Sequence, residues 1–388
     1  MPTYRPQFSM PSPVIFGNGA IAALGENIRE LGCKKVLIIC DKGVEAAGIT
    51  KKVTDILAAE GLAYVIYNGV LSDPPDTTVD EAGALAVSEG ADCLIGLGGG
   101  SSMDTAKATA IYMHDPAGPV KRYILQSPIM VDTKTPIILI PTTSGTGSEC
   151  TKVAVISRPD MNAKWSAFVN TTLAIVDPEL TLALPKRETA NTGLDALTHA
   201  VEALTGREWN YHSDLFAEGS ITKIWNNLYT CYADPSNAEA RLEMSLAANW
   251  AGMAFNNPIT HVGHSVADAL SCEFHTPHGL GCALAIAETV ALISTTVPDR
   301  TRRVAAAMGL SLDGTETDAE VGKIIADAIR ALMRSMDMPS LTALGYDRER
   351  VVGLAQAVVD NHLSSFCPVD ITLEVAKTLL ENVYDSYT

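Results

Sequence analysis

The sequence has 388 residues, of which 47% are hydrophobic and 19% are charged, and its formal net charge is −17. This length exceeds what a single hydrophobic core usually organises, so we expect a globular chain of two domains. The acidic charge excludes functions that depend on a basic surface, such as binding to nucleic acid or to an anionic membrane.

The sequence also indicates a cellular compartment. No run of residues approaches the roughly 18–20 apolar residues of a membrane span. The N-terminal segment lacks the pattern of a secretory signal. The eight cysteines are scattered without a CxxC pair, which is typical of free thiols in a reducing compartment. We therefore expect a cytoplasmic protein.

The first half of the sequence alternates short apolar runs with helical patterns. Strands are predicted at 34–41, 63–70, 92–100 and 135–143, and helices at 48–61, 78–90 and 102–113. This alternation favours a parallel sheet that is covered on both faces by helices.

From about Pro185 onward the pattern changes to alanine- and leucine-rich helices. These are predicted at 187–205, 212–229, 236–255, 258–272, 279–296, 299–308, 317–336 and 348–364. The change predicts an α/β domain over residues 1–185 and an all-helical domain over residues 186–388.

Polar or glycine-rich loops follow three of the predicted strands. "GLGGGSSMD" places Gly98–Gly100 and Ser101 before a helix, where glycines admit a phosphate and the helix start offers free N–H groups; the alternative is an ordinary strand–helix turn. "PTTSGTGSECT" (141–151) forms either a polar wall at the end of a strand or a plain loop. Asp41 either accepts a hydrogen bond from a ribose 2′-hydroxyl, which favours NAD over NADP, or caps a helix.

The stretch "TGLDALTHAVEAL" (192–204) is predicted as a helix that carries Asp195 and His199 four residues apart, on one face. Each of them alone is common as a hydrogen-bonded core residue. Together on an apolar face, without Lys or Arg nearby, they leave buried charge that needs compensation. A metal ion supplies that compensation.

Six of the eight histidines lie between residues 199 and 278, and this clustering also favours a metal site. His264 and His278 would complete a set of one carboxylate and three imidazoles with Asp195 and His199. That set suits Fe²⁺ or Zn²⁺ and disfavours Mg²⁺ and Ca²⁺, which prefer oxygen ligands. The residues alone do not choose between iron and zinc.

Five motifs in this order, "GLGGGSSMDTAKA", "PTTSGTGSECT", "TGLDALTHAVEAL", "AGMAFNN" and "HTPHGLGCALA", resemble the iron-containing alcohol dehydrogenase family over nearly the whole chain. The resemblance implies a dehydroquinate synthase-like architecture, in which an N-terminal dinucleotide domain and a C-terminal helical domain enclose a metal. It places the metal ligands on Asp195, His199, His264 and His278. It places cofactor contacts on Asp41, Gly98, Gly99, Gly100, Ser101, Asp104, Thr142, Thr143, Thr146, Thr151 and Lys164. Phe255 and Val153 are expected to line the substrate pocket.

The sequence departs from the family pattern at three places. Four residues after His264, where many members have a second histidine, this chain has Asp268. Asp268 relays a proton, anchors His275 or His261, or has no role; we predict Asp268 and His275 as catalytic candidates. The segment after Lys164 is shorter than usual, and the usual "NPR" near the C-terminus is replaced at residues 367–369.

The predicted function is interconversion of a short-chain primary alcohol and its aldehyde with NAD(H), by a homodimer or larger homo-oligomer. A divalent metal, Fe²⁺ or Zn²⁺, polarises the substrate oxygen during hydride transfer. One alternative is a reductase of a small anionic aldehyde such as sulfoacetaldehyde. A dehydroquinate synthase-like lyase is disfavoured because region 187–285 holds few cations. A non-catalytic protein that binds NAD and metal is the remaining alternative.

Overall fold

The computed structural model describes residues 2–388, which fall into two compact units. One unit is Met10–Leu184, and the other is Pro185–Thr388 together with the N-terminal segment that ends at Ser9. The division after Leu184 lies next to the predicted boundary, whereas the N-terminal segment groups with the second unit.

The described residues form eleven β-strands. They are β1 (Thr3–Tyr4), β2 (Val14–Phe16), β3 (Lys35–Ile39), β4 (Ala63–Tyr67), β5 (Cys93–Gly98), β6 (Met130–Val131), β7 (Ile137–Pro141), β8 (Val153–Arg158), β9 (Ala163–Val169), β10 (Leu173–Val176) and β11 (Glu208–Trp209).

The α-helices of the described residues are α1 (Leu24–Glu30), α2 (Lys42–Ala46), α3 (Ile49–Ala59), α4 (Asp76–Glu89), α5 (Gly100–His114), α6 (Lys186–Thr205), α7 (Tyr211–Ala233), α8 (Ala238–Phe255), α9 (Val262–Phe274), α10 (His278–Ile293), α11 (Pro298–Ala307), α12 (Asp318–Ser335), α13 (Arg348–Gly353), α14 (Ala355–Asp360) and α15 (Leu373–Asp385). No helix among them is both long and apolar enough to cross a membrane.

A six-stranded sheet with the order β2-β10-β7-β5-β3-β4 organises the Met10–Leu184 unit, and all its pairings are parallel. The central strands β5 and β7 are buried along their whole length, as expected for strands covered on both faces. The predicted parallel sheet is confirmed. Because β3, β5 and β7 are neighbours, their carboxyl ends lie side by side, at the edge where open α/β sheets bind ligands.

Two features of this unit are absent from the predicted elements. The sheet contains the short strands β2 and β10, with three and four residues, which are too short to show a period. A second sheet, with the order β6-β9-β8, contains the antiparallel pair β8–β9. Asn162 makes the turn between these two strands with a left-handed φ of 46°, a conformation that Asn adopts more readily than most residues.

The second unit is helical apart from the two-residue parallel pair β1–β11. Its core is one hydrophobic cluster that includes residues of α6–α15. The predicted helix at 348–364 is wrong as a single element, because α13 and α14 are separate and a 3₁₀ turn, His362–Phe366, follows. The extended backbone of Asn361 ends α14, and its side chain accepts a hydrogen bond from the N–H of Leu363 at 3.0 Å.

Candidate active site

Three helices of the second unit carry the predicted metal ligands. Asp195 and His199 lie on α6 with exposed fractions of 2% and 5%. His264 lies in the first turns of α9 and is also buried, and His278 is the first residue of α10. Four side chains that are far apart in the sequence therefore reach one buried region of this unit.

The donor atoms of these side chains converge. Asp195 Oδ1 lies 3.8 Å from His199 Nε2, 3.8 Å from His264 Nε2 and 3.7 Å from His278 Nε2. Ligand atoms about 2.1 Å from a tetrahedral ion stand about 3.4 Å from one another. Among the described residues, Asp195 Oδ1 and His264 Nε2 are buried without a hydrogen-bond partner. Such a cluster fits a divalent cation, since the ion would satisfy both atoms.

A thiol that is not among the predicted ligands also lies at this cluster. Cys282, one turn after His278 on α10, has its Sγ 3.6 Å from His278 Nε2. The donor atoms of Asp195, His264, His278 and Cys282 all lie within 4.8 Å of one another. Burial raises the pKa of the Cys282 thiol well above its ordinary value, and the nearby carboxylates add to this effect. The spacing of four residues after a predicted ligand is the signal that could have identified it.

Two of the predicted ligands, His199 and Asp195, are held in the protonation states that metal ligands need. Burial lowers the pKa of His199 to about 3, so this imidazole is neutral at pH 7. Burial opposes the charge of Asp195, but the surrounding imidazoles outweigh it and the pKa of Asp195 is lowered. For His264, burial likewise opposes the charged form, yet the carboxylate of Glu202 raises its pKa.

Glu202 is a second residue of this region that is not among the predicted site residues. It is fully buried on α6, and its Oε2 lies 2.6 Å from His264 Nδ1. Burial opposes its charge, but His261 and His264 together lower the pKa of Glu202 to about 2, so it is a carboxylate at neutral pH. Asp195, His199 and Glu202 follow the i, i+4, i+7 spacing of one helical face, which is the signal available in the sequence.

The remaining predicted residues of this unit lie at different distances from the cluster. Asp268 Oδ1 is 3.9 Å from His278 Nδ1, and its Oδ2 accepts a hydrogen bond from Asn361 at 3.1 Å. His275 ends α9 in a left-handed conformation with an exposed side chain. The ring of Phe255 stacks on His199, with 4.3 Å between the ring centroids. The structure therefore brings Asp268 and Phe255 to the cluster and gives His275 no contact with it among the described residues.

In the Met10–Leu184 unit, the glycine loop and the threonine loop are in contact. The N–H of Thr142 donates to the carbonyl of Gly98 at 2.9 Å. A Cβ at Gly99 would lie 3.4 Å from Thr143 Cγ2, and one at Gly100 would lie 2.7 Å from Thr146 Cγ2. Gly98 has a φ of 148°, which side chains disfavour. Gly100 is therefore required by the close approach of the two loops and Gly98 by its backbone conformation, and α5 with its Ser101 begins at this point.

Asp41 caps a helix, which is one of the two roles that its position allows. Its Oδ1 accepts hydrogen bonds from the N–H groups of Gly43 at 2.7 Å and Val44 at 3.0 Å, at the start of α2. Lys164 forms an ion pair with Asp73, with 2.6 Å between Nζ and Oδ1. Contacts of Asp41 and Lys164 with a cofactor stay predictions.

A buried lysine links the other predicted cofactor residues. Lys107 Nζ donates to the Ser148 carbonyl at 2.7 Å, to Thr151 Oγ1 at 3.2 Å and to the Val153 carbonyl at 2.6 Å. Asp104 accepts from Ser148 Oγ at 2.6 Å and from the N–H of Val155 at 2.9 Å. Asp104 and Thr151 are thus hydrogen-bonded within the unit, and their contacts with a cofactor stay predictions.

Comparison with known proteins agrees with this geometry. Residues 11–178 match the iron-containing alcohol dehydrogenase family, and residues 189–384 match the C-terminal part of the Fe-containing alcohol dehydrogenase family. A buried Asp–His cluster and a parallel sheet with a glycine-rich edge are features of a metal-dependent oxidoreductase. The chain belongs to the iron-containing alcohol dehydrogenase family.

Individual relatives cover nearly the whole chain. Lactaldehyde reductase from Escherichia coli (strain K12) is 32% identical over 92% of this chain and 94% of its own length. The structure of an alcohol dehydrogenase from Oenococcus oeni is 31% identical, with a TM-score of 0.92 over 97% of this chain and 100% of that chain. Sulfoacetaldehyde reductase from Bifidobacterium kashiwanohense, solved with NAD⁺, is 26% identical, with a TM-score of 0.85 over 98% and 99% of the chains. The predicted family, fold class and alcohol–aldehyde oxidoreductase activity are confirmed.

Proposed function

We propose that this protein interconverts a short-chain primary alcohol and its aldehyde with NAD(H), using one divalent ion held by Asp195, His199, His264 and His278. The observation that carries the proposal is the convergence of three imidazole Nε2 atoms on Asp195 Oδ1 at 3.7–3.8 Å. Iron is the first candidate because of the family, and zinc suits the same nitrogen and oxygen donors.

The chemistry follows from the two sets of residues. When bound, the ion supplies Lewis acidity toward the substrate oxygen, and the nicotinamide supplies or accepts a hydride. Neutral His199 and ionised Asp195 present lone pairs to the ion without first losing a proton. Phe255, stacked on His199, restricts the space beside that imidazole and excludes water from its face. The start of α5 and the glycine loop present free N–H groups to a pyrophosphate.

The experiment combines metal analysis with turnover. The purified protein is loaded anaerobically with Fe²⁺ or with Zn²⁺, and NADH oxidation is measured with a panel of two- to four-carbon aldehydes. We expect one bound ion per chain and turnover of at least one aldehyde. His264→Ala and His278→Ala are expected to lose both the ion and the activity, because each removes one converging donor.

His212→Ala is the matched control, because it removes an exposed histidine that stacks on Phe8, with 5.0 Å between the ring centroids. This variant is expected to keep wild-type metal content and turnover. Retention of both metal and activity in His264→Ala and His278→Ala would refute the proposal. Metal binding without turnover of any aldehyde in the panel would exclude the short-chain substrates proposed here.

The same panel decides between neutral and anionic substrates. Sulfoacetaldehyde belongs in the panel because a relative of similar fold carries that activity in its name. A kcat/KM for sulfoacetaldehyde at least about tenfold above that for neutral aldehydes, or about 1.4 kcal/mol of transition-state stabilisation, would identify the anionic class. We propose neutral aldehydes first, because among the described residues no Lys or Arg side chain contacts the metal cluster.

We further propose that the protein works in the cytoplasm as a homodimer or larger homo-oligomer. All eight cysteines are free thiols in the described residues, in keeping with a reducing compartment. Size-exclusion chromatography with light scattering measures the assembly, and a mass of one chain would exclude the oligomer.

A further inference from the structure

Glu202 lies behind the proposed metal ligands and contacts only one of them through its carboxylate. Its Oε2 is 2.6 Å from His264 Nδ1, and both residues are buried. A carboxylate accepts hydrogen bonds and donates none, so the proton of this contact belongs to His264 Nδ1. A neutral imidazole that is protonated on Nδ1 keeps its lone pair on Nε2.

The position of the Glu202 carboxylate is set by the backbone rather than by the imidazole. The N–H of His261 donates to Oε2 at 2.9 Å, and the N–H of Gly263 donates to Oε1 at 2.6 Å. Both N–H groups belong to the start of α9, where helix donors lack partners within the helix and the dipole favours a negative charge. The carboxylate is therefore a fixed acceptor to which the ring of His264 adjusts.

Glycine at position 263 is part of the same arrangement. A Cβ at this residue would lie 2.7 Å from Glu202 Oε1 and 3.2 Å from Thr289 Oγ1. Any larger residue would push the carboxylate away from the backbone donors. The start of α9 is thus shaped to receive Glu202.

Charge gives a second reason for a carboxylate at this position. A divalent ion bound by one carboxylate, Asp195, and three neutral imidazoles leaves one positive charge in a buried region. Glu202 supplies the negative charge that balances it. An amide of the same size would supply hydrogen-bonding capacity without that charge.

We propose that Glu202 is a positioning residue: it fixes His264 in the Nδ1-protonated tautomer, turns Nε2 toward Asp195 and balances the charge of the bound cation. This inference rests on the metal site of the proposed function. Hydrogen-bonded partners of metal-ligating histidines typically contribute 10- to 100-fold in metal affinity. A residue that only supported the fold would change thermal stability without this effect on affinity.

The test uses Glu202→Gln in the full-length protein with Zn²⁺ alone as the probe. The dissociation constant for Zn²⁺ is measured by competition with a chromophoric chelator, and we expect it to rise about 10- to 100-fold. The histidine tautomers are measured by long-range ¹H–¹⁵N spectra of Zn²⁺-loaded protein with ¹⁵N-labelled histidine. The wild-type protein is expected to show an Nδ1–H signal that is weakened or shifted in Glu202→Gln when this variant is loaded at a Zn²⁺ concentration above its own dissociation constant.

Asp214→Asn is the matched control, because Asp214 is another buried carboxylate of the same unit. It pairs with Arg300 at 3.1 Å and with Arg303 at 2.7 Å, and it contacts none of the proposed metal ligands. This variant is expected to lower the unfolding temperature and to leave the Zn²⁺ dissociation constant within about twofold of wild type, since distant sites act independently.

A Glu202→Gln protein that binds Zn²⁺ as tightly as the wild type, with an unchanged Nδ1–H signal, would overturn the inference. Should Glu202→Gln fail to fold, Gly263→Ala displaces the carboxylate while keeping its charge, and the same loss of affinity is expected. The two proposals fail differently. If the wild-type protein binds no Zn²⁺, or His264→Ala binds it normally, the metal site itself is wrong; if only Glu202→Gln is normal, the positioning role alone is wrong.

Discussion

Lys107 offers a direct test of how the nucleotide-binding edge is supported. Its side chain is fully buried and donates to the loop and strand that follow β7, through Ser148, Thr151 and Val153. Burial lowers the pKa of this ammonium group, although nearby carboxylates oppose the effect. Lys107→Met keeps the length of the apolar stem and removes the charge together with every hydrogen bond.

The magnitude follows from what the substitution leaves behind. The carbonyls of Ser148 and Val153 would lose a charged donor at 2.7 and 2.6 Å, and each buried acceptor without a partner costs about 1–3 kcal/mol. Asp104, 3.5 Å from Nζ, would lose its counter-ion but keep two other donors. We expect the free energy of unfolding to fall by about 3–5 kcal/mol, the range for breaking a buried ion pair.

The assay is urea-induced unfolding followed by circular dichroism, with NADH affinity and metal content measured on the same samples. Lys107→Met is expected to weaken NADH binding because the supported loop carries Thr146, and to keep wild-type metal content. Lys51→Met is the matched control, since its ion pair with Asp55 is exposed and is worth at most about 1 kcal/mol. A loss below about 1 kcal/mol for Lys107→Met, or a loss equal to that of the control, would refute this account of the network.

Two further outcomes are expected. Gly100→Ala should weaken NADH binding, measured by fluorescence titration, because its Cβ would lie 2.7 Å from the threonine loop and overpacking costs about 1–3 kcal/mol; Gly353→Ala, with open space around it, is the control. Burial lowers the pKa of His362, although the charge of Asp268 opposes this effect. Below a pH of about 6.5 the unfolded state therefore binds more protons than the folded state, and the free energy of unfolding decreases as the pH is lowered. His362→Gln should make the free energy of unfolding less dependent on pH, as measured by urea unfolding of the metal-free protein. An unchanged pH dependence would contradict this prediction.

The alternating pattern of the first half was sufficient to predict the sheet, because β3, β5 and β7 are continuous apolar runs. The pattern was insufficient for the strands β8 and β9, whose half-buried residues mix lysine, serine and apolar side chains. Their pairing depends on contacts between strands, which a local window does not contain. The prediction of one helix over 348–364 fails for a local reason, because the extended backbone of Asn361 ends α14.

The predicted metal ligands could be found from the sequence because helical spacing and residue chemistry both point to them. The sequence does not show which of the residues around these ligands contacts a ligand. Asp268 and Glu202 are both acids within one or two helical turns of a ligand, so their sequence signals are equivalent. Their positions in the structure are not equivalent, and the difference is a matter of distance and solvent.

Glu202 Oε2 lies 2.6 Å from His264 Nδ1, and both side chains are buried. Asp268 Oδ1 lies 3.9 Å from His278 Nδ1, and the side chain of His278 is 31% exposed. The contact between Glu202 and His264 is a strong hydrogen bond, whereas the distance between Asp268 and His278 is beyond hydrogen-bonding range. A hydrogen bond to a carboxylate selects one tautomer of the imidazole. A carboxylate that is 3.9 Å from a partly exposed imidazole favours an orientation of the ring but does not select a tautomer. Two acids with the same spacing signal therefore act differently: Glu202 decides which nitrogen of His264 carries the proton, and Asp268 leaves that choice in His278 open to its surroundings.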